Sequence, residues 1–234
     1  MKKAVFITVR SGSQRLPNKA TKKILDSETI EHLINRVKRS KLADIIVLCT
    51  STNEEDFKLC DIAMRNDIFY FRGSLKDKVQ RWLSAAKFYD VEYFVNVDGD
   101  DLFCEPELID LAFAQYQDEK HDFVKINESE MIVGAFTLGA TTKAIEKVCE
   151  IKDTDDTEAA WLYFSDLDIF DTKILKNIPT VFMRPEIRAT LDYDEDFLFF
   201  KNIIEHFYNE KKYDFSLRDV VKYVNINPSV IKIN

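Results

Sequence analysis

The sequence predicts an α/β protein with three layers, a mostly parallel, twisted sheet carrying helices on both faces. Short apolar runs that suit strands buried on both sides alternate with segments of helical period. The 234 residues suffice for one domain with a substantial core, and a single unit over residues 1–234 is expected. Glycine is scarce, and Gly12, Gly73 and Gly99 each fall just beyond a predicted strand beside charged residues, where a ligand approaching the backbone favours a residue without a side chain.

Residues 3–9 form the first apolar run. Ile30, Leu33, Ile34 and Val37 then recur at i, i+3, i+4 and i+7, the stripe of a helix packed on one side. Ile45–Cys49 is the second strand. Asn53 is placed to cap a helix running to Arg65, with Glu54, Glu55 and Asp56 in its first turn. A short strand follows at Ile68–Phe71. Ser74 and Asp77 then have capping-box spacing ahead of Val79, Trp82, Leu83 and Ala86. Tyr93–Val97 is the next strand, and Pro106 opens a helix at its favoured early position. Beyond residue 120 strands are expected near 122–127, 132–138 and 178–183, and helices near 141–150 and 156–164. Phe197, Phe200, Ile204 and Phe207 mark one closing helix; Leu217, Val220, Val221 and Val224, capped by Ser216, mark another.

The formal charge of −8 argues against a general nucleic-acid surface, which needs a basic face to displace counterions. An anionic substrate would instead require a local cationic pocket. No apolar run reaches the roughly 18 residues of a membrane span, and the start turns polar too soon for a secretory signal. Cys49, Cys60, Cys104 and Cys149 lack paired spacing and read as reduced packing residues, which fits a cytoplasmic setting.

Ligands of open α/β sheets bind beyond the carboxyl ends of the strands. The first such loop, Arg10-Ser11-Gly12-Ser13-Gln14-Arg15-Leu16-Pro17-Asn18-Lys19, can offer amides, hydroxyls and three cations to a polyphosphate. Composition alone equally allows a solvated basic turn. Asp98-Gly99-Asp100-Asp101 follows a later strand, and its carboxylates suit Mg²⁺ or an acidic turn. A third cluster runs from Arg184 to Asp196 into the first closing helix, where acidic residues also serve as ordinary N-terminal charges. His32, His121 and His206 stand in helices or a polar turn, so no dedicated base is evident.

Together these segments resemble the cytidylyltransferases that activate acidic sugars, the CMP-Kdo and CMP-sialate synthetases. The likeness is strongest to their spore-coat polysaccharide relatives, whose loop R-x-G-S-x-R-L-P-x-K is matched at every fixed position by Arg10 to Lys19. It continues in order through Thr50-Ser51-Thr52-Asn53, Phe71-Arg72-Gly73-Ser74 with Asp77, Asp98-Gly99-Asp100 and Pro106-Glu107-Leu108-Ile109-Asp110. It extends through Arg188-Ala189-Thr190-Leu191-Asp192 to Asp196, then Phe215-Ser216-Leu217 and Asn227-Pro228.

The resemblance implies a Rossmann-like nucleotidyltransferase fold of GT-A type and transfer of CMP from CTP to a small anionic acceptor. Arg10, Arg15 and Lys19 would hold the nucleotide phosphates, with Ser11, Gly12 and Ser13 supplying backbone or hydroxyl donors. Asp100 and Asp192 would carry Mg²⁺. Thr50, Ser51 and Thr52 would lie near base or ribose, Arg72, Gly73 and Asp77 would line the pocket, and Asp98 and Arg188 would complete the substrate site. A homodimer, with no nucleic-acid or membrane partner, is also implied. Two departures concern the acceptor. Asp98 replaces the glutamine of the Kdo enzymes, and residues 125–165, with Gly134, Gly139, Asp155, Asp156, Thr157, Glu158, Trp161 and Tyr163, lack a recognisable sugar-acid motif. Trp161 and Tyr163 suit either a core or an acceptor wall. Asp98-Gly99-Asp100 also spells the D-x-D of a metal-dependent glycosyltransferase; the cationic first loop favours a triphosphate over a nucleotide sugar. A non-catalytic nucleotide-binding module is the remaining alternative.

Overall fold

The computed structural model describes residues 2–157, 168–211 and 214–234. Its main sheet has seven strands in the order β5-β4-β1-β6-β8-β7-β9. These are β1 (Lys3–Thr8), β4 (Ile45–Ser51), β5 (Phe69–Gly73), β6 (Tyr93–Asp98), β7 (Phe123–Lys125), β8 (Leu138–Thr141) and β9 (Thr172–Ile174). All adjacent pairs are parallel except those made by β8, which runs antiparallel to both β6 and β7. The expected mostly parallel α/β architecture is therefore present.

All of β1 is buried because both faces of the sheet are covered, which explains why it reads as an unbroken apolar run. Val5 and Ile7 point into a core shared with α1 (Thr29–Val37), α2 (Phe57–Arg65), α4 (Pro106–Asp118) and the closing helices α6 (Asp194–Lys211) and α7 (Leu217–Ile226). Ala4 and Phe6 face the opposite core with α3 (Lys78–Tyr89) and α5 (Thr142–Ile151), where Phe6 and Phe94 stack 4.4 Å apart. Pro106 stands at the start of α4, and Ser216 caps α7 in a reciprocal box with Asp219.

Several boundaries differ from expectation. The strand expected at 132–138 is an irregular buried segment: Met131 and Ile132 fill the core, but Gly134 turns left-handed at φ 83°. A Cβ there would lie 2.3 Å from the Ala189 carbonyl oxygen, and the actual strand begins only at Leu138. Residues 178–183 contain a single turn of 3-10 helix, Thr180–Phe182, which buries Phe182 without joining the sheet. Edge strand β9 and the hairpin of β2 (Lys23–Ile24) and β3 (Ser27–Glu28) are too short and polar to show a period. Asn53 does not cap α2; a short turn over Glu54–Asp56 intervenes and Asp56 takes that position. Ser74 is likewise not the cap of α3. Asp77 is, accepting from the Gln80 amide, while Ser74 Oγ accepts from the Asp77 amide. Most of the helix expected at 156–164, with Glu158, Trp161 and Tyr163, falls outside the described residues.

Candidate active site

The ends of β1 and β6 are drawn together by Gly99, whose amide donates to the Thr8 carbonyl at 2.8 Å. A Cβ on Gly99 would lie 2.6 Å from Val9 Cβ, so the contact requires glycine. This approach sets the basic loop after β1 beside the acidic loop after β6. Buried Leu16 fixes the middle of the basic loop, Asn18 turns it through φ 56°, and Lys19 is directed back toward the sheet.

Lys19 is the centre of the site. Its Nζ donates to Asp100 Oδ2 at 2.6 Å, to the Leu191 carbonyl at 2.8 Å and to Asp192 Oδ1 at 3.1 Å. The 188–192 segment reaches this point because the Leu191 amide donates to the Asp100 carbonyl. Asp192 also accepts from Arg15 at 2.6 Å and from Arg188 at 2.8 Å, while Asp196 holds Arg188 and the Asp192 and Tyr193 amides. Arg188 thus positions Asp192.

Charge and burial are opposed here. Burial alone would depress Lys19, but Asp100 and Asp192 outweigh it and the ammonium is held above its usual range. Burial raises the Asp100 carboxyl, with the nearby Asp98 and Asp192 charges adding to it against Lys19. Burial also acts on Asp98, but Lys78, 2.7 Å away, with help from Asn96 and Lys19, more than offsets it and keeps Asp98 below the ordinary carboxylate range.

A cleft of about 790 Å³ is lined by Lys19, Asp98 and Asp100, whereas Asp192 and Arg188 are not part of its wall. Its cations are Arg10, Arg15, Lys19, Lys78 and Arg81, facing Glu55, Asp98 and Asp100, and Gly12 and Ser13 form part of its wall. Lys78 and Arg81 are not marked by any loop motif; their signal in the sequence is a shared face, one turn apart, at the start of α3. None of the three histidines lines the cleft. Buried His32 bonds the Ile24 carbonyl, His121 meets the Tyr93 hydroxyl, and His206 lies against Tyr223.

Other expected site residues have different work in this arrangement. Ser11 is no open phosphate donor: its amide donates to Asp56 and its hydroxyl to the Glu55 carbonyl. Thr50 and Ser51 are fully buried, with Ser51 Oγ bonded to Asp56, and neither lines the cleft. Thr52 is exposed and, with Ser51 and Asn53, offers its carbonyl to Arg72, which ties down the end of β4 instead of lining the cleft. Gly73 makes room for Arg81, whose side-chain carbons lie 3.0 Å from the place of a Cβ. Asp77 is turned away to Lys152 and Thr157. These groups support the walls of the site from outside.

Asp100 and Asp192 present hard oxygen donors to one shared cation, the chemistry Mg²⁺ requires of a protein that leaves further positions to phosphate and water. Among the described residues no group of three or more His, Cys, Asp or Glu could hold a metal by itself.

A mostly parallel sheet whose strand ends carry a cationic loop beside an acidic one is a nucleotidyltransferase type of fold. The family model described as Cytidylyltransferase matches residues 4–217, and the chain belongs to that family. It is 29% identical over its whole length to the uncharacterized protein MJ1063 of Methanocaldococcus jannaschii, covering 95% of that protein. It is 24% identical to the spore coat polysaccharide biosynthesis protein SpsF of Bacillus subtilis, over 95% of this chain and 94% of the relative. A solved cytidylyltransferase from Leptospira borgpetersenii superposes with a TM-score of 0.89 at 26% identity, covering 99% of this chain and 97% of that one. Among the described residues, no helix is long and apolar enough to cross a membrane.

Proposed function

We propose that this protein transfers CMP from CTP to a small acidic acceptor, an acidic sugar or a phosphorylated compound, with release of pyrophosphate. The observation that carries the reading is the meeting of Lys19 with Asp100 and Asp192 beneath a cleft walled by Arg10 and Arg15. A triphosphate entering there exchanges the carboxylate partners of Lys19 and Arg15 for its own oxygens. Membership in the cytidylyltransferase family supports CTP as the donor, and the name of the Bacillus relative supports polysaccharide precursor synthesis as the setting.

Asp100 and Asp192 would hold Mg²⁺, which when bound supplies charge neutralisation at the phosphates and orientation of the reacting oxygens. The chain's own residues do the rest. Arg10, Arg15 and the Gly12-Ser13 wall orient the β- and γ-phosphates. An acceptor oxygen attacks the α-phosphorus in line; as that bond forms, the bond to the bridging oxygen breaks and its electron pair leaves with pyrophosphate. Lys19 and Arg15 neutralise the charge gathering there, a contribution whose removal costs on the order of 10²-fold in rate. Asp98, held ionised by Lys78, is a weak base, so an acceptor whose nucleophile is already anionic suits the site better than a neutral hydroxyl.

The test is pyrophosphate release with each of the four ribonucleoside triphosphates against sialic, Kdo-like and phosphorylated acceptors, with and without Mg²⁺. CTP-selective, Mg²⁺-dependent release that is abolished in a folded Asp100→Asn variant is expected. Full activity in that variant rejects the reading. Transfer of a sugar from a nucleotide sugar, without release from CTP, would favour a glycosyltransferase.

A further inference from the structure

The basic loop is held at both ends by the start of one helix. Asp56, at the N-terminal cap of α2, is fully buried. Its Oδ1 accepts from the Ser11 amide at 2.6 Å, and its Oδ2 accepts from the Ser51 hydroxyl. Ser11 Oγ donates to the neighbouring Glu55 carbonyl at 3.1 Å, and Ser51 Oγ accepts from the Asn53 amide at 3.1 Å. At the other end of the loop Lys58, also in the first turn of α2, donates to Asn18 Oδ1 at 3.0 Å, where the chain turns left-handed. Gly12, Ser13 and Arg15 lie between the two anchors and form the cleft wall.

A fully buried carboxylate is costly unless its oxygens are satisfied, and the donors that satisfy Asp56 are both neutral. Such a group holds an amide more tightly than a neutral side chain would. The amide it holds belongs to the residue immediately before the Gly12-Ser13 wall.

We infer that Asp56 is a positioning residue for the reaction, and that the first turn of α2 is a clamp holding the 10–19 loop in the form that receives the triphosphate. The inference deepens the nucleotide-transfer reading and rests on it. Asp56 acts through Ser11 and touches no substrate. The clamp also gives Ser51 a part in holding the loop, through its bond to Asp56.

The experiment measures CTP affinity by calorimetry in the presence of Mg²⁺, with amide hydrogen exchange over residues 10–19, for wild type, Asp56→Ala, Asp56→Asn and Ser51→Ala. Losing a charge-assisted bond that fixes the loop weakens CTP roughly 10- to 100-fold in Asp56→Ala. Asp56→Asn keeps an oxygen for the Ser11 amide but loses the charge, and should bind more weakly than wild type and more tightly than Asp56→Ala. A role confined to stability would lower the melting temperature of Asp56→Ala and leave CTP affinity alone. A folded Asp56→Ala that binds CTP within threefold of wild type overturns the clamp. If that variant does not fold, Ser51→Ala decides: unchanged affinity and unchanged loop exchange overturn it. If wild type itself fails to bind CTP, the nucleotide reading falls, and the clamp then stands only if loop exchange accelerates about tenfold or more in the variants.

Discussion

Replacing Lys19 by Met removes the cation that Asp100 and Asp192 share while keeping an unbranched chain of similar length. Asp192 retains Arg15 and Arg188, so the uncompensated charge falls on Asp100, whose side chain is 24% exposed. Leaving a largely buried charged partner unsatisfied costs about 1.5–3 kcal/mol. For a chain of this size that corresponds to a fall in melting temperature of about 3–12 °C. The loss depends on pH with a definite sign. Without Lys19 the folded-state carboxyl of Asp100 rises further above its unfolded value, and such a group favours folding when protonated, losing that contribution as pH rises. The gap between variant and wild type should therefore be widest near neutrality and shrink as pH falls into the carboxylate range. Added Mg²⁺ should also narrow it, by supplying the missing cation. Thermal melts of both proteins from pH 4 to 8, with and without Mg²⁺, check this. Equal melting temperatures at pH 7.5, or a gap that widens on acidification, would refute the electrostatic account.

Other expectations follow from single contacts. Gly99→Ala places a Cβ 2.6 Å from Val9 Cβ and should cost about 1–3 kcal/mol while weakening CTP binding, read by denaturant melts and calorimetry. Asp196→Asn should flatten the acid limb of the stability curve: burial opposes ionisation of Asp196, but Arg188, Asn234 and two amides hold it below the usual range, so its contribution is present at neutrality and lost as pH falls through the folded value. Burial pushes the partly buried Cys149 thiol up from 9.0 to about 11, so its labelling by a disulfide reagent at pH 7.5 should be roughly tenfold slower than that of an ordinary thiol; labelling at the ordinary rate would contradict the burial argument.

Legibility in the sequence followed the physics of each signal. Strands covered on both faces are continuous apolar runs, so β1, β4 and β6 could be placed directly, as could the apolar stripes of α1 and α7. Met131 to Phe136 is just as apolar, yet Gly134 and the contact with Ala189 make it an irregular core segment that hydrophobicity alone cannot distinguish from a strand. Strand β9 is mostly polar and lies at the sheet edge, so its pairing depends on β7, far away in the chain. At the site, Arg15, Lys19, Asp100 and Asp192 stood in recognisable loops, and the structure brings them together. The commitments of Ser11, Ser51, Arg72 and Asp77 were hidden because hydroxyl, guanidinium and carboxylate groups serve equally as ligands or as braces, and only a partner distant in sequence decides which. Lys78 and Arg81 were missed for the converse reason: they resemble surface charges of a helix until the fold turns that face into the cleft.

On the proposed function, the basic loop and the Asp100–Asp192 pair receive one triphosphate between them. A crystal structure of the wild-type protein with CTP and Mg²⁺ tests it most directly. It should place the phosphates against Arg10 and Arg15, with Lys19 moved from its two carboxylates onto a phosphate oxygen and the cation between Asp100 and Asp192. A nucleotide bound elsewhere, or one bound with Lys19 still paired to both aspartates and no cation there, would contradict it.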